Sequence, residues 1–251
     1  MRRKTPGNVD KDALIAGKIA RLERQDPERV IAALEPFVGD RRKQRLLDVI
    51  GARLESVQVV FESPHDPHNG AAVVRSCEAF GVQFLHVVET RERFLAAQSV
   101  ARGAEKWVDV IPHSVAESAI AAAKKENLEL IATHPEGDLS PADLAEIPRF
   151  ALVLGNERDG IGEQLRAACT RAVRVPMRGF VESLNVSVTA AILLSRACSE
   201  RPGDLPEMER RRLYARGLYF SLAHPDEIIA RPSPDQNTAL KAAPKPERNT
   251  G

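Results

Sequence analysis

The chain has 251 residues, enough for one substantial core with appendages. Its composition, 43% hydrophobic and 28% charged, is that of a folded globular protein, and no apolar run reaches the roughly 18 residues of a membrane span. The formal net charge of +1 gives no bulk attraction for nucleic acid, and the three cysteines (Cys77, Cys169, Cys198) form neither a CxxC pair nor a zinc spacing. The basic segment Met1–Gly7 is not followed by an apolar stretch, so it is not a secretory signal. A reducing cytoplasm, with all three thiols buried or inert, fits this cysteine usage.

Residues 8–38 read as helical, with Leu14, Ile15, Ile19, Leu22, Val30, Ile31 and Leu34 near helical spacing. Asp26 and Pro27 mark the start of a second helix as cap and first residue. Residues 41–55 form an amphipathic basic helix with the stripe Leu46, Leu47, Ile50, Leu54. Val57–Glu62 is a β-branched strand, ended by a loop with two prolines. Asn69 to about Phe80 is a helix stopped by Gly81. Strands follow over Gln83–Val88, Leu128–Thr133, Phe150–Leu154 and Ala172–Val175, with helices over 114–126 and Gly162–Ala168. Ser183–Cys198 is a long apolar helix with Ser183 as its expected cap, and Pro206–Ala223 is a final helix. The tail after Arg231 lacks apolar periodicity and is expected to be disordered. Strands alternating with helices predict a parallel, doubly wound α/β sheet.

Three strand ends carry the chemistry, and in such a sheet ligands bind beyond the carboxyl ends of the strands. The first is Asp66-Pro67-His68-Asn69-Gly70 running on to Arg75. Asn69 has the chemistry of a helix cap, while Arg75 stands in an apolar helix and must reach an anion or solvent. It can serve structure by pairing with Glu157, or present its fork to a phosphate or a developing oxyanion. The second is Leu154-Gly155-Asn156-Glu157-Arg158-Asp159-Gly160, whose glycines permit close backbone approach. No Gly-Lys-Ser/Thr follows, and no Gly-x-Gly-x-x-Gly follows any strand, so neither a P-loop nor a dinucleotide fingerprint is present. The third is Val175-Pro176-Met177 running on to Ser183-Leu184-Asn185-Val186-Ser187, a long loop able to wrap a ligand with main-chain groups. Two basic clusters, Arg41-Arg42-Lys43-Gln44-Arg45 and Arg210-Arg211-Arg212, read equally as an RNA footprint or as solvated helix faces. His65, Asp66 and His68 lack a third clear ligand partner, and no metal site is expected.

Jointly and in order, these three segments resemble the three motifs of the SPOUT superfamily of RNA methyltransferases. They are closest to its TrmH branch, the tRNA (guanosine-2′-O-)-methyltransferases. The resemblance spans about residues 41–200. It implies a parallel-sheet SPOUT fold, of class α/β, with a C-terminal deep trefoil knot over roughly 128–200, flanked by N- and C-terminal helices. The implied domains are a helical extension over 1–40, the methyltransferase domain over 41–200, a helical extension over 201–230 and the tail over 231–251.

By the same resemblance the cofactor is S-adenosylmethionine, lined by Thr133, Leu154, Gly155, Val175, Met177, Ser183 and Leu184. Arg75 matches the arginine associated with the ribose 2′-hydroxyl, and Asn69, Glu157 and Asn185 would orient it and the substrate. The family works as a homodimer through its knot helices, without metal or membrane. Lys106 stands where relatives carry a basic residue near RNA, although residues 99–105 lack the expected polar Gly-Gly-Ser run. Helical extensions at both ends resemble the tRNA enzymes that modify the D-loop guanosine. Arg41, Arg42, Arg45, Arg210, Arg211 and Arg212 would then hold the tRNA backbone. Ribosomal RNA as substrate is the alternative within the family, and a non-catalytic RNA-binding protein is the alternative outside enzymology.

Overall fold

The computed structural model describes residues 11–62, 66–89, 103–156 and 158–231. Glu157, residues 8–10, the loop 63–65, the segment 99–102 and the tail from 232 lie outside the described residues. Nine helices and six strands follow in order among the described residues: α1 (Lys11–Leu22), α2 (Pro27–Leu34), α3 (Asp40–Gly51), β1 (Val57–Glu62), α4 (Pro67–Ala79), β2 (Phe84–Val88), β3 (Asp109–His113), α5 (Ala116–Lys125), β4 (Glu129–Thr133), β5 (Phe150–Leu154), α6 (Glu163–Ala168), β6 (Arg171–Val173), α7 (Val186–Cys198), α8 (Glu207–Tyr219) and α9 (Pro225–Ile229).

The strands form one parallel sheet in the order β3-β2-β1-β5-β4-β6. Both faces are covered, so the central strands are apolar throughout, as in other parallel sheets. Val57, Val59 and Phe61 of β1 face α4 and α7 in one core. Val60 of β1, with Ala151 and Val153 of β5, faces α5 and α6 in a second. Among the described residues no helix is long and apolar enough to cross a membrane.

The described helices before β1 and after α7 pack against one another. Val30, Ile31 and Leu34 of α2, Leu46 and Ile50 of α3, Leu213 and Leu218 of α8 and Ile229 of α9 share one apolar cluster. Helix α3, expected with the sheet domain, thus packs with α8. Asp26 caps α2 as expected, accepting from the Glu28 amide, with Pro27 in the first turn.

A buried ion network ties this cluster to the sheet edge. Asp109, the first residue of β3, accepts from Arg216 at 2.8 Å, from Gln83 at 2.8 Å and from Arg212. Glu23 receives Arg212 at 3.0 Å and Arg216 at 2.9 Å. Burial pushes the Asp109 carboxyl up, but the two guanidiniums and Gln83 outweigh it and hold it below its ordinary value. Arg216 is 1% exposed, so the pair is a true core contact.

Several local expectations are corrected. Asp66, not Asn69, caps α4, because its carboxylate accepts from the His68 amide at 2.8 Å and Pro67 takes the donor-free first position. Asn185, not Ser183, caps α7, accepting from the Ser187 amide at 2.9 Å, so the helix begins at Val186. The final expected helix ends at Tyr219, and a separate short helix, α9, follows. Strand β3 falls in a stretch left unassigned by sequence. Gly81 behaves as expected, at φ +78° just past α4.

Candidate active site

The carboxyl ends of β4 and β5, the end of β6 and the start of α7 enclose a cleft of about 510 Å³. That volume lies within the ~300–1,000 Å³ range of small-molecule sites. Thr133, Gly155, Val175, Met177, Ser183 and Leu184 all line it. Residues from three separate segments of sequence therefore meet in one place. Leu154 is the exception: it is fully buried in the core beneath the cleft, because β5 is covered on both faces.

The walls are shaped by tight backbone packing. A Cβ on Gly155 would lie 2.1 Å from the Gly160 carbonyl carbon, so the turn closes only on glycine. Asn156 braces that turn, its Oδ1 accepting from the amides of Arg158 at 2.9 Å and Asp159 at 2.7 Å. Gly160 sits at φ +69°. Glu62, at the end of β1, accepts from the Gly162 amide at 2.5 Å and fixes the start of α6. Thr133 donates its hydroxyl to the Val153 carbonyl at 3.0 Å, joining β4 to β5 at the cleft floor.

The loop from Val175 to Leu184 makes no main-chain hydrogen bond to the described residues. Such groups must be satisfied by water or by a ligand. A run of unpaired amides and carbonyls beside Val175, Met177, Leu184 and Ile161 suits a flat, edge-bonding heterocycle with a polar tail. Sequence reading missed His134, Pro135, Gly160, Ile161 and Glu182 in this lining. Position directly after β4, or within the two turns already noted, was the available signal.

Asn185 joins this cleft to α4. Its side-chain amide donates to Asn69 Oδ1 at 2.9 Å, while its own Oδ1 caps α7. Asn69 accepts this bond, and Asp66 rather than Asn69 caps α4. Arg75, almost two turns further along α4, is exposed and forms no ion pair among the described residues. It does not line the cleft. It lines a neighbouring groove of about 890 Å³, with Lys106, Arg42 and the Ser187, Val188, Ala191, Ile192 side of α7.

The basic clusters are unequal. Arg41, Arg42 and Arg45 are exposed on α3 without a carboxylate partner among the described residues. On α8 each arginine of the second cluster has a carboxylate partner. Arg210 pairs with Glu207 at 2.7 Å, Arg211 pairs with Glu28, and Arg212 is drawn into the Asp109 network. Glu207, Glu28 and Asp109 neutralise these charges.

No cysteine is activated. Burial, helped by Cys198, pushes the Cys77 thiol up to about 12, overcoming the Arg53 guanidinium. Burial likewise raises Cys198 to about 12 and Cys169 to about 11.

The tRNA (guanosine(18)-2′-O)-methyltransferase of Escherichia coli K12 is 31% identical over 208 residues, spanning 78% of this chain and 90% of that protein. The A. aeolicus TrmH/SpoU tRNA modifying enzyme superposes with a TM-score of 0.62 at 23% identity, over 73% of this chain and 98% of that one. The SpoU methyltransferase AviRb from Streptomyces viridochromogenes, solved in complex with AdoMet, superposes with a TM-score of 0.54 at 24% identity, over 61% of each chain. The model of the SpoU rRNA Methylase family matches residues 56–195, more than half of the sequence and all three strand-end segments. The chain belongs to the SpoU rRNA methylase family.

Proposed function

We propose that this protein transfers a methyl group from S-adenosylmethionine to the ribose 2′-hydroxyl of a tRNA, at guanosine 18 of the D-loop. The observation that carries the reading is the cleft itself. Six of the seven residues expected to hold the cofactor converge there, namely Thr133, Gly155, Val175, Met177, Ser183 and Leu184. The E. coli tRNA enzyme aligns over 90% of its own length, which supports tRNA over ribosomal RNA. The ribosomal reading keeps support from the name of the matched family.

The bound cofactor supplies a sulfonium-activated methyl group, so the protein need only align the acceptor and stabilise charge. The unpaired main chain of 175–184 would hold the adenine edge and the amino-acid portion. Gly155 and Gly160 keep the floor low enough for close approach. A guanidinium always carries its charge, so Arg75 stabilises the forming alkoxide rather than accepting its proton, which passes to a phosphate oxygen of the RNA or to water. Asn185 and Asn69 hold the start of α7 against α4, fixing the cleft relative to Arg75. Glu157 belongs to the same set by its motif position.

Arg75 and the cofactor cleft open on different sides of the start of α7 within one chain. A homodimer through α7 resolves this, with Arg75 of one subunit serving the cleft of the other. The exposed Val188 on α7 supports that face. The deep trefoil knot through the cofactor segment belongs to the same reading, as does a cytoplasmic location beside the substrate.

The test is methyl transfer to unmodified tRNA followed by nucleoside mass spectrometry and mapping. A 2′-O-methylguanosine in the D-loop is expected. Cofactor binding with no product on tRNA, and product on ribosomal RNA fragments, would overturn the tRNA assignment.

A further inference from the structure

Arg53 stands in the turn after α3 and is 2% exposed, yet among the described residues it has no carboxylate partner. Its Nε donates to Gln83 Oε1 and its Nη2 to the Val82 carbonyl at 3.0 Å, both neutral acceptors. Gln83 is itself fully buried and held, donating to the Trp107 carbonyl at 3.0 Å and to Asp109 at 2.8 Å. Asp109 is already engaged by Arg212 and Arg216. Burial pushes the Arg53 guanidinium below its ordinary value, against the opposing fields of Glu78 and Asp109. A buried cation left in that condition calls for an anion.

The third nitrogen, Nη1, makes no hydrogen bond among the described residues and is not one of their buried unbonded atoms, so it reaches open space. That space is a cavity of about 170 Å³ between α3, α8 and the end of α4. Arg45 and Arg53 follow Arg42 close to one side of a 3.6-residue helix, which brings all three guanidiniums to the same wall. Leu46 and Leu213 add apolar lining. Glu78 is the acidic lining residue, and it forms no ion pair among the described residues. Against its one charge stand three guanidiniums, none with a carboxylate partner among the described residues. No residue of α7 lines the cavity, unlike the neighbouring groove.

We propose that this pocket binds one phosphate group, carried as the free ion or as a phosphomonoester, with Arg53 as its buried ligand and Arg45 and Arg42 closing over it. A tetrahedral oxyanion offers several acceptors to guanidinium forks, and a charge-assisted bond made inside a cavity is stronger than one made in water. The volume lies below the ~300–1,000 Å³ of drug-sized sites, so it admits a group of few atoms. A phosphodiester within a polymer brings chain on either side, which so small a space does not take. The site needs nothing from the methyl-transfer reading.

The test is calorimetry and thermal melting of the full chain with potassium phosphate, against potassium chloride at matched ionic strength. Saturable binding of one phosphate per chain is expected, with a melting temperature that climbs with the logarithm of phosphate concentration. Arg45→Gln should weaken binding a few-fold, as for an exposed cation, and Glu78→Gln should tighten it, since a like charge leaves the wall. Arg53→Lys keeps the charge and loses the fork, so binding should fall at least about tenfold. Should that variant fail to fold, the Arg45 and Glu78 variants still decide.

One tRNA transcript made with a 5′-phosphate and again with a 5′-hydroxyl separates the sources. Displacement of bound phosphate by the first alone places an RNA end in the pocket, and displacement by neither leaves the free ion as the ligand. Equal displacement by both means that backbone phosphates enter, and it overturns the proposal. No phosphate binding beyond that of chloride, or binding unaltered in both the Arg45 and the Glu78 variant, also overturns it. A Glu78→Gln chain that melts earlier and binds no phosphate overturns it in favour of Glu78 as the counter-ion of Arg53.

Discussion

The side-chain amide of Asn185 donates to Asn69 Oδ1 at 2.9 Å, joining the cap of α7 to the first turn of α4 across 116 positions of chain. One side chain thus does two things: its oxygen caps a helix, and its nitrogen fixes that helix to another. Asn185→Ala is expected to lower stability by about 0.5–2 kcal/mol through the lost cap. Asn185→Asp keeps the cap acceptor and loses the donor. Both variants should bind S-adenosylmethionine more weakly by calorimetry, but only the alanine should melt markedly earlier. Wild-type cofactor affinity in the aspartate variant would remove the link from the account of the site.

Arg75 is exposed and unpaired among the described residues, so its removal should barely affect folding. Arg75→Ala is expected to change stability by less than about 0.5 kcal/mol. Single-turnover methyl transfer should fall about 10²–10³-fold, the usual loss for one oxyanion-stabilising donor. Turnover within a few-fold of wild type would take Arg75 out of the chemistry.

Gly155 has main chain, not a movable side chain, where a Cβ would go. Gly155→Ala should open the turn at Gly160, costing about 1–3 kcal/mol. Cofactor affinity should drop at least about tenfold, because the displaced wall belongs to the cleft. A variant that binds cofactor as well as the parent would show that the turn tolerates opening.

Asp109 compensates Arg216, which is almost wholly buried. Asp109→Asn leaves that guanidinium with only Glu23, at a cost near the lower end of about 3–5 kcal/mol in urea unfolding. The sign of its pH dependence follows from the lowered carboxyl. The unfolded chain takes up the proton more readily, so the stabilisation is present above about pH 4 and is lost as pH falls through the folded value. The asparagine variant should therefore show a flatter acid limb below about pH 4.

His86 lies in a hydrogen-bonded chain, with Gln58 Oε1 at 2.8 Å on one side and His113 Nε2 at 2.8 Å on the other. Burial, and then the neighbouring His113, lower its pKa from 6.5 to about 4. A neutral imidazole in the fold must compete with a protonated one in the unfolded chain. Stability should thus be constant above about pH 6.5 and fall by about 2–3 kcal/mol on the way to pH 4. His86→Gln should flatten that decline, which stability curves at stepped pH will reveal.

Strong local signals survived the passage to structure. Val57–Glu62 and Phe150–Leu154 have the predicted limits, because runs of apolar and β-branched residues suit a strand buried on both faces. Strand β3 was hidden because Pro112 and two polar residues interrupt it. It pairs only with β2 at the sheet edge, where a missing proline donor costs nothing. The caps were misplaced by two or three residues because Asp66 and Asn69, or Ser183 and Asn185, are chemically equivalent candidates. Only the position of the neighbouring helix selects between them.

The sequence by itself determined five of the six strands and the three strand ends, since each rests on short-range pattern; the residues that line the cleft were expected from the family resemblance. The tertiary structure alone decided which charges have carboxylate partners. Asp109 and Glu23 are brought against Arg212, and Glu28 against Arg211, from distant segments. Arg42 and Lys106 have no carboxylate partner among the described residues and instead contact Ser221 and Phe220, which carry no motif at all. A charge's partner is a matter of distance in space, and one-dimensional spacing records that distance only within a single helix or strand.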